Sequence, residues 1–309
     1  AQESRGLVDV YKRQTDVKIP KENIVLAEGK GLRVALNTLN IGRLTIPAIC
    51  VGASKYCLKT VRKWTSTRSQ WGQEIGKHQA ITDKLARMAA DTYAMEAMVE
   101  LCSNLVDRKN CDIRVESAMA KMWATETYWN IIDNTMQMKG GRAYETDESK
   151  VARGEDADGI ERMFRDCRIN LIFEGSSEIM RLILAREALD PHLKIAGDVV
   201  NSKAPIKKRL KAVVRAGLHY AWWYPKQWLP SLSLNKHDRY IKNASKKLAR
   251  TLFHSMLRHG PGLDKQQLLL GRLTEIGTEL FVMTCALLKA DQSAGDGQAA
   301  LADAVSVSY

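Results

Sequence analysis

The sequence lacks the features that define several common classes of protein. Its six cysteines are spread along the chain without a C-x-x-C pair, which argues against a thiolate metal site and favours free, mostly buried thiols in a reducing compartment. No stretch approaches the roughly 20 apolar residues that cross a bilayer. The longest candidate, residues 44–58, is interrupted by Pro47, Ser54 and Lys55. The sequence therefore favours neither a metal centre nor a transmembrane protein.

Acidic residues are scarce in one region. Between Lys194 and Gly260 there are fifteen Lys and Arg residues against only Asp198 and Asp238, an excess of +13, whereas the whole 309-residue chain carries +12. The remainder of the chain is thus close to neutral. Since the basic character is confined to one segment, any anionic partner is expected to bind there.

The first residues differ in character from the rest. Residues 1–14 contain no apolar core of the kind found in a signal peptide, and their DVYKRQ end resembles translated adapter sequence. We interpret residues 1–14 as a non-native leader and exclude them from the prediction of the fold.

Apolar residues recur at helical spacing along most of the chain. Asp112 is a plausible N-terminal cap for one of the predicted helices, and Pro191 is expected to end another. The predicted helices lie at about 32–64, 77–106, 111–138, 159–167, 177–189, 240–258 and 264–290.

These elements predict an all-α fold in two helical units. Residues 28–192 form the first helical bundle, and residues 193–309 form an additional basic helical domain. Residues 15–27 are interpreted as the end of a β domain, because they alternate around Pro20.

Three segments contain residues suited to chemistry. Each has an ordinary structural explanation on its own, as a surface charge, a helix C-cap or a capped helix start. The segments are TRSQWGQEIGKHQAITDKLARMA (67–89), MQMKGGRAYE (136–145) and RDCRINLIFEGSSEIMRLILARE (165–187). In this order and spacing, with PKENIVL at 20–26 and Arg43 on the first long helix, they resemble the acyl-CoA dehydrogenase family over roughly 15–190.

The resemblance implies FAD-dependent α,β-dehydrogenation of a fatty acyl-CoA to the trans-2-enoyl-CoA. Glu174 would be the base that removes the α-proton. It follows Leu171, Ile172 and Phe173, which could form an apolar wall that disfavours the charged carboxylate. Some relatives carry the base on the first long helix, where this chain has Gly42, so Glu174 is the only candidate.

The resemblance also assigns binding residues. Flavin contacts are implied for Arg68, Ser69, Gln70, His78, Gln79, Gln137, Met138, Lys139, Gly140, Gly141, Ser176, Ser177 and Glu178. Substrate contacts are implied for Asn40, Arg43, Gly175 and Arg186. The segment from Gln137 to Gly141 would reach the flavin of a partner subunit. Two residues depart from the family pattern: Trp71 replaces a usual Phe, and Glu178 replaces a neutral or shorter side chain, which puts its flavin contact in question.

The region after Pro191 resembles the extension of the very-long-chain members. It implies a longer acyl chain, a homodimer, and electron-transfer flavoprotein as the electron acceptor. It also implies a location in the bacterial cytoplasm or the mitochondrial matrix. The basic charge and the tryptophans of AWWYPKQW (221–228) favour peripheral contact with an anionic membrane. Because the family also has an N-terminal helical domain and a central β domain, we expect this chain to be a fragment that is inactive alone.

Several alternatives remain open at this point. A basic C-terminal segment is also typical of alkylation-response relatives that bind nucleic acid, and a scaffold that has lost activity is a third hypothesis. The tryptophans could equally pack into the core of the second helical domain. His219, His254 and His259 lack the spacing of metal ligands, and no metal is expected. The role of the insert at 150–159 is not predicted.

Overall fold

The computed structural model describes residues 15–108, 111–200 and 204–292. Within these ranges the protein forms ten α-helices and one small hairpin, which confirms the predicted all-α fold. The helices are α1 (Gly31–Thr67), α2 (Gln79–Val106), α3 (Arg114–Lys139), α4 (Gly141–Tyr144), α5 (Asp147–Ala152), α6 (Ile160–Ile169), α7 (Ser177–Val200), α8 (Ile206–Lys226), α9 (Lys236–His259) and α10 (Gln267–Gln292). The antiparallel strands are β1 (Ser69–Gln70) and β2 (Gln73–Glu74).

The chain divides into two compact units, residues 1–39 and 40–309. The described part of the first unit contains a 3-10 turn at Lys21–Asn23 and the start of α1. The β segment predicted at 15–27 is not a strand. A strand is stabilised by hydrogen bonds to a neighbouring strand, and none pairs with this segment within the described residues.

The core of the second unit lies between α1, α2, α3 and α6. It contains completely buried methionine and β-branched side chains, among them Met95 and Met98 from α2 and Ile132 from α3. Each such burial stabilises the fold by about 1.5–3 kcal/mol. Val282 and Cys285 of α10 belong to the same core cluster. A helix of the predicted second domain thus packs against the first bundle.

The prediction that Pro191 ends a helix is wrong. α7 continues through Pro191 to Val200, and the predicted domain boundary at 192 falls inside it. Proline removes one backbone hydrogen bond and kinks a helix, at a cost of about 3 kcal/mol. The helix survives this loss because it is packed on both sides of the proline. Met180 and Leu184 contact α3 before it, and His192 contacts Tyr220 of α8 after it.

α8 lies between two predicted helices and was not itself predicted. The aromatic residues of AWWYPKQW (221–228) were interpreted either as a membrane contact or as part of the core of the second helical domain. In the structure Trp223 and Tyr220 lie edge-to-face at 5.9 Å, and both contact Phe253 of α9 and the buried His192 of α7. Trp223 is thus partly buried in an aromatic cluster, whereas Trp222 and Trp228 are 71% and 60% exposed.

One described helix, α1, is long and apolar enough to cross a membrane when judged by length and composition alone. This is weak evidence, because a core helix of a soluble protein passes the same test. α1 places Cys50, Cys57 and Val61 in the core of the second unit, each completely buried. A core role explains the apolar composition of α1 in this structure.

Glu279 of α10 is a half-buried carboxylate whose ionisation is expected to make stability depend on pH. Burial raises its pKa to about 7, assisted by the negative charges of Asp91, Glu126 and Glu275, although the Trp123 indole donates to its Oε1 at 3.2 Å. The folded pKa exceeds the ordinary value of about 4.3. The folded state therefore holds a proton that the unfolded state loses, and stability falls as the pH rises from about 4.3 to about 7.

We therefore expect Glu279→Gln to be more stable than the wild type at pH 8, by up to about 3 kcal/mol, and nearly equal to it at pH 4.5. Denaturant unfolding at both pH values measures this difference. Asp291→Asn is the matched control on the same helix. Asp291 is exposed and is not among the charges that raise the pKa of Glu279, so its variant should show no comparable gain at pH 8. An equal loss of stability at both pH values for Glu279→Gln would contradict the assignment.

Candidate active site

Glu174 lies in the short turn between α6 and α7, and its backbone is left-handed. Its φ is +53° and that of Gly175 is +101°. A non-glycine residue in this region costs on the order of 1–3 kcal/mol and occurs mostly at functional sites. Position 175 favours glycine over any other residue, because its φ is positive and an added Cβ would overlap the Met180 side chain. The turn thus places one carboxylate in a defined position.

The Glu174 carboxylate lies against Gly42 of α1. A Cβ at position 42 would overlap Oε2 and would lie 2.8 Å from Cδ, so only glycine accommodates this arrangement. Oε2 is buried, and no described residue forms a hydrogen bond with it. The carboxylate therefore has an oxygen that can accept a proton from a bound molecule.

Two buried cations surround this carboxylate. Arg43 is 7% exposed, and burial lowers its pKa while the charge of Glu174 opposes that shift. Lys121 of α3 is completely buried, and its Nζ donates to the Gly175 carbonyl at 2.7 Å. Lys121 was not predicted, since its partner is distant in sequence. The side chain of Asn40 lies outside the described residues.

The predicted apolar wall beside Glu174 is open to solvent in this chain. Ile172 is 53% exposed and Phe173 is 40% exposed. These side chains follow α6 in a turn that no other described element covers sufficiently to bury them. Leu171 is only partly buried. Their sequence position was identified correctly, but their burial was not.

The hairpin after α1 presents Arg68, Ser69 and Gln70 on the surface. Trp71 and Gly72 form its turn, and Trp71 is 88% exposed. The His78 ring fixes the hairpin through Nε2 to the Gln70 carbonyl at 3.1 Å and Nδ1 to the Gln73 amide at 3.1 Å. Gln79 is the exposed first residue of α2. These predicted flavin residues therefore form one local cluster.

Trp64 of α1 joins this hairpin to the end of α3. Its indole N–H donates to the Met138 carbonyl at 3.2 Å, while the Lys139 and Arg68 cations lie 5.3 and 6.0 Å from its ring. Gln137, Gly140 and Gly141 are exposed beside it. Two predicted flavin segments are thus brought together, although the sequence analysis did not identify the tryptophan that links them.

The insert at 150–159 contributes Asp158, whose carboxylate binds two buried lysines. Lys139 forms an ion pair with one oxygen, and Lys150 donates to the other at 2.9 Å. Burial acts to raise the pKa of Asp158, but the hydrogen bonds from both lysines outweigh it and leave the pKa lowered. The insert thus fixes the end of α3.

Ser176, Ser177 and Glu178 lie at the start of α7. Ser177 is 5% exposed, and its hydroxyl has no hydrogen-bond partner among the described residues. Glu178 is exposed, and its pKa is lowered by hydrogen bonds at its own backbone and from Ser176. The three residues line an open groove of ≈ 750 Å³ with Arg168 and Arg272. Because Glu126 and Glu275 also line it, the groove is polar and carries charges of both signs.

The predicted site residues form two groups, which lie near different positions along α1. Arg43 lies beside Glu174, whereas Trp64 lies 21 positions later, which is about 30 Å along a helix axis. Arg186 is exposed on α7, nine residues beyond its first residue. Within one chain, therefore, the hairpin cluster and the Glu174 carboxylate do not meet.

Comparisons with known proteins identify the family. Residues 29–189 match the family model described as acyl-CoA dehydrogenase, C-terminal domain. The chain belongs to the acyl-CoA dehydrogenase family, which confirms the resemblance found in the sequence.

Particular relatives match nearly the whole chain. "Probable acyl-CoA dehydrogenase FadE10" of Mycobacterium tuberculosis is 45% identical over 297 residues, covering 93% of this chain and 46% of that protein. The very long-chain specific acyl-CoA dehydrogenase of Rattus norvegicus is 27% identical, covering 91% and 42%. A solved acyl-CoA dehydrogenase complexed with FAD from Bacillus anthracis superposes with a TM-score of 0.73 at 25% identity, covering 94% and 50%. The chain spans about half the length of these relatives.

Proposed function

We propose that this chain supplies the catalytic base and part of the flavin site of an FAD-dependent acyl-CoA dehydrogenase. The observation that carries the proposal is the Glu174 carboxylate in its strained turn. One of its oxygens is buried against Gly42 without a hydrogen-bond partner among the described residues. A carboxylate in this state is suited to accept the α-proton of a thioester.

The protein's own residues have separate roles in this step. Glu174 receives the proton from the carbon next to the thioester carbonyl, and Gly42 leaves room for the carboxylate. Arg43 lies close enough to interact electrostatically with the same carboxylate and would line the substrate path. FAD, when bound, supplies the oxidant for the hydride that leaves the β-carbon. The product is then the trans-2-enoyl-CoA.

The residues present fit an FAD bound between two copies of the protein. The hairpin cluster and the α3 end offer Arg68 and exposed backbone at Gly140 and Gly141, whereas Ser176, Ser177 and Glu178 border the Glu174 turn. Because the two groups lie about 30 Å apart along α1, we assign them to different flavins of a homodimer. The electron acceptor would be electron-transfer flavoprotein, and the substrate a longer acyl chain.

A product assay tests this function. The full-length gene product that contains this sequence would be incubated with saturated acyl-CoAs of four to twenty carbons and an artificial electron acceptor. We expect trans-2-enoyl-CoA with a preference for the longer chains. Absence of enoyl product at every chain length, from protein that carries flavin, would refute the proposal.

We further propose that α8 contacts anionic membranes. Ala212 faces the rest of the protein, while Ile206, Leu218 and Trp222 on other faces of α8 are 82%, 73% and 71% exposed. Lys226 lies 4.2 Å from the centre of the Trp222 ring, so a cation accompanies the exposed aromatic. Exposed apolar side chains among basic residues are typical of helices that lie in a membrane interface.

Vesicle co-sedimentation of the full-length protein tests this contact. Binding should require anionic lipid, weaken with salt, and fall about tenfold in Leu218→Ala/Trp222→Ala, since both side chains are exposed. Trp223 is left unchanged because it packs in the aromatic cluster. Leu257→Ala, which removes an exposed leucine from α9, is the control and should bind normally. Tight binding to duplex DNA without vesicle binding would instead favour the nucleic-acid hypothesis.

A further inference from the structure

Lys121 is an unusual residue for the middle of a helical core. It is completely buried on α3, where lysine is almost never found unless it is paired. The charged and titratable groups facing it are Glu174 of the turn, Arg43 and Cys50 of α1, and Glu126 of its own helix. Burial lowers the pKa of Lys121, and the carboxylate of Glu174 opposes that shift.

The hydrogen bond of Lys121 is made to the turn that carries the proposed base. Its Nζ donates to the Gly175 carbonyl at 2.7 Å, one peptide unit from Glu174. Both residues of this turn have positive φ, so the backbone there is strained and must be held by its surroundings. Lys121 is a side chain from another helix that binds this backbone directly.

Stability alone does not account for a lysine at this position. Removing an ammonium group from water is costly, and well-packed apolar side chains of similar volume often stabilise a core as well or better. The neighbours of Lys121 on α3, Ala120 and Met122, are small or apolar. A methionine would therefore fill the space. What it could not supply is a donor to Gly175 and a positive charge beside Glu174.

We propose that Lys121 is the positioning residue for the base, holding the Glu174–Gly175 turn. This role rests on the proposed function of Glu174. Lys121 takes no part in the chemistry, since its ammonium group is bound to a backbone carbonyl. It acts through the position of Glu174.

Two measurements on the full-length protein test the role, using Lys121→Met and Lys121→Arg. The first is hydrogen exchange of the Phe173 and Ser177 amides, which donate to Ile169 and Leu171 across this segment at 3.1 and 3.2 Å. The second is the rate of anaerobic flavin bleaching at saturating acyl-CoA, measured together with the affinity for acyl-CoA. Lys289→Met is the control, because Lys289 is also largely buried and ion-paired but lies on α10.

We expect Lys121→Met to exchange these amides about tenfold faster and to bleach flavin about 10²-fold more slowly. Its affinity for acyl-CoA should be unchanged, because Lys121 binds the turn and positions the base without binding the substrate. Lys121→Arg should also accelerate exchange, since its larger head displaces the Gly175 contact. The control should change neither measurement.

Normal exchange together with a normal bleaching rate in Lys121→Met would overturn the proposal. If Lys121→Met does not fold, Lys121→Arg decides: unchanged exchange and rate in that variant would count against positioning. Hydrogen exchange does not depend on the chemistry of Glu174. Should Glu174→Gln bleach flavin normally, the proposed base would fail, whereas faster exchange in Lys121→Met would still show that Lys121 holds the turn.

Discussion

Glu174→Gln in the full-length protein is expected to keep its flavin and bind acyl-CoA, but to lose anaerobic flavin bleaching by about 10²- to 10⁴-fold. The amide of glutamine matches the shape of the carboxylate and leaves the turn intact, yet it cannot accept the α-proton. No second carboxylate compensates, because Gly42 occupies the alternative base position and lies directly against Glu174.

Stopped-flow absorbance at the flavin band measures this loss. Glu161→Gln is the matched control, since Glu161 is an acidic residue of α6 that pairs with Arg165 and does not contact the turn. The control should bleach at the wild-type rate. Near-normal bleaching in Glu174→Gln would remove Glu174 from the mechanism.

Gly42→Ala is expected to slow bleaching by about 10²-fold without loss of stability. The new methyl group would overlap the carboxylate, which must swing aside, and a displacement of about 1 Å is sufficient for such a loss. Because the carboxylate is the end of a flexible side chain, the fold can accommodate this movement. Alanine also favours a helix over glycine by about 1 kcal/mol.

Gly52→Ala on the same helix provides the control. An added Cβ at Gly52 meets nothing within 4 Å, so this variant gains the same helix propensity without touching Glu174. We expect unchanged bleaching and a slightly higher unfolding midpoint in Gly52→Ala. Equal bleaching rates in both variants would show that the Gly42 contact does not determine the position of the base.

The sequence was sufficient to predict the local features of the fold. Helical spacing of apolar residues located α1, α2 and α3 to within a few residues. Local signals gave a wrong helix end where tertiary packing determines the structure. α7 continues through Pro191 because residues on both sides of the proline contact neighbouring helices. α8 was missed although Leu210, Val214 and Leu218 follow helical spacing, since the adjacent aromatic run was interpreted separately.

For the candidate site, the sequence identified motifs but not their contacts. The resemblance pointed to Glu174 and to the hairpin at Arg68. The lysine that binds Gly175, the tryptophan that joins the hairpin to α3, and the aspartate of the insert all act across long sequence separations. No periodic pattern marks such residues. Lys121 is the exception, because it is the one charged residue in the otherwise apolar run 118–124, and this signal could have been noticed.

A single-turnover experiment on the wild-type full-length protein tests whether it oxidises acyl-CoA by removal of the α-proton. Oxidised protein would be mixed anaerobically with a saturated long-chain acyl-CoA, unlabelled or carrying deuterium at the α-carbon. We expect loss of the flavin absorbance, one equivalent of trans-2-enoyl-CoA per flavin, and severalfold slower bleaching with the deuterated substrate. Flavin that stays oxidised with every acyl-CoA would contradict this expectation.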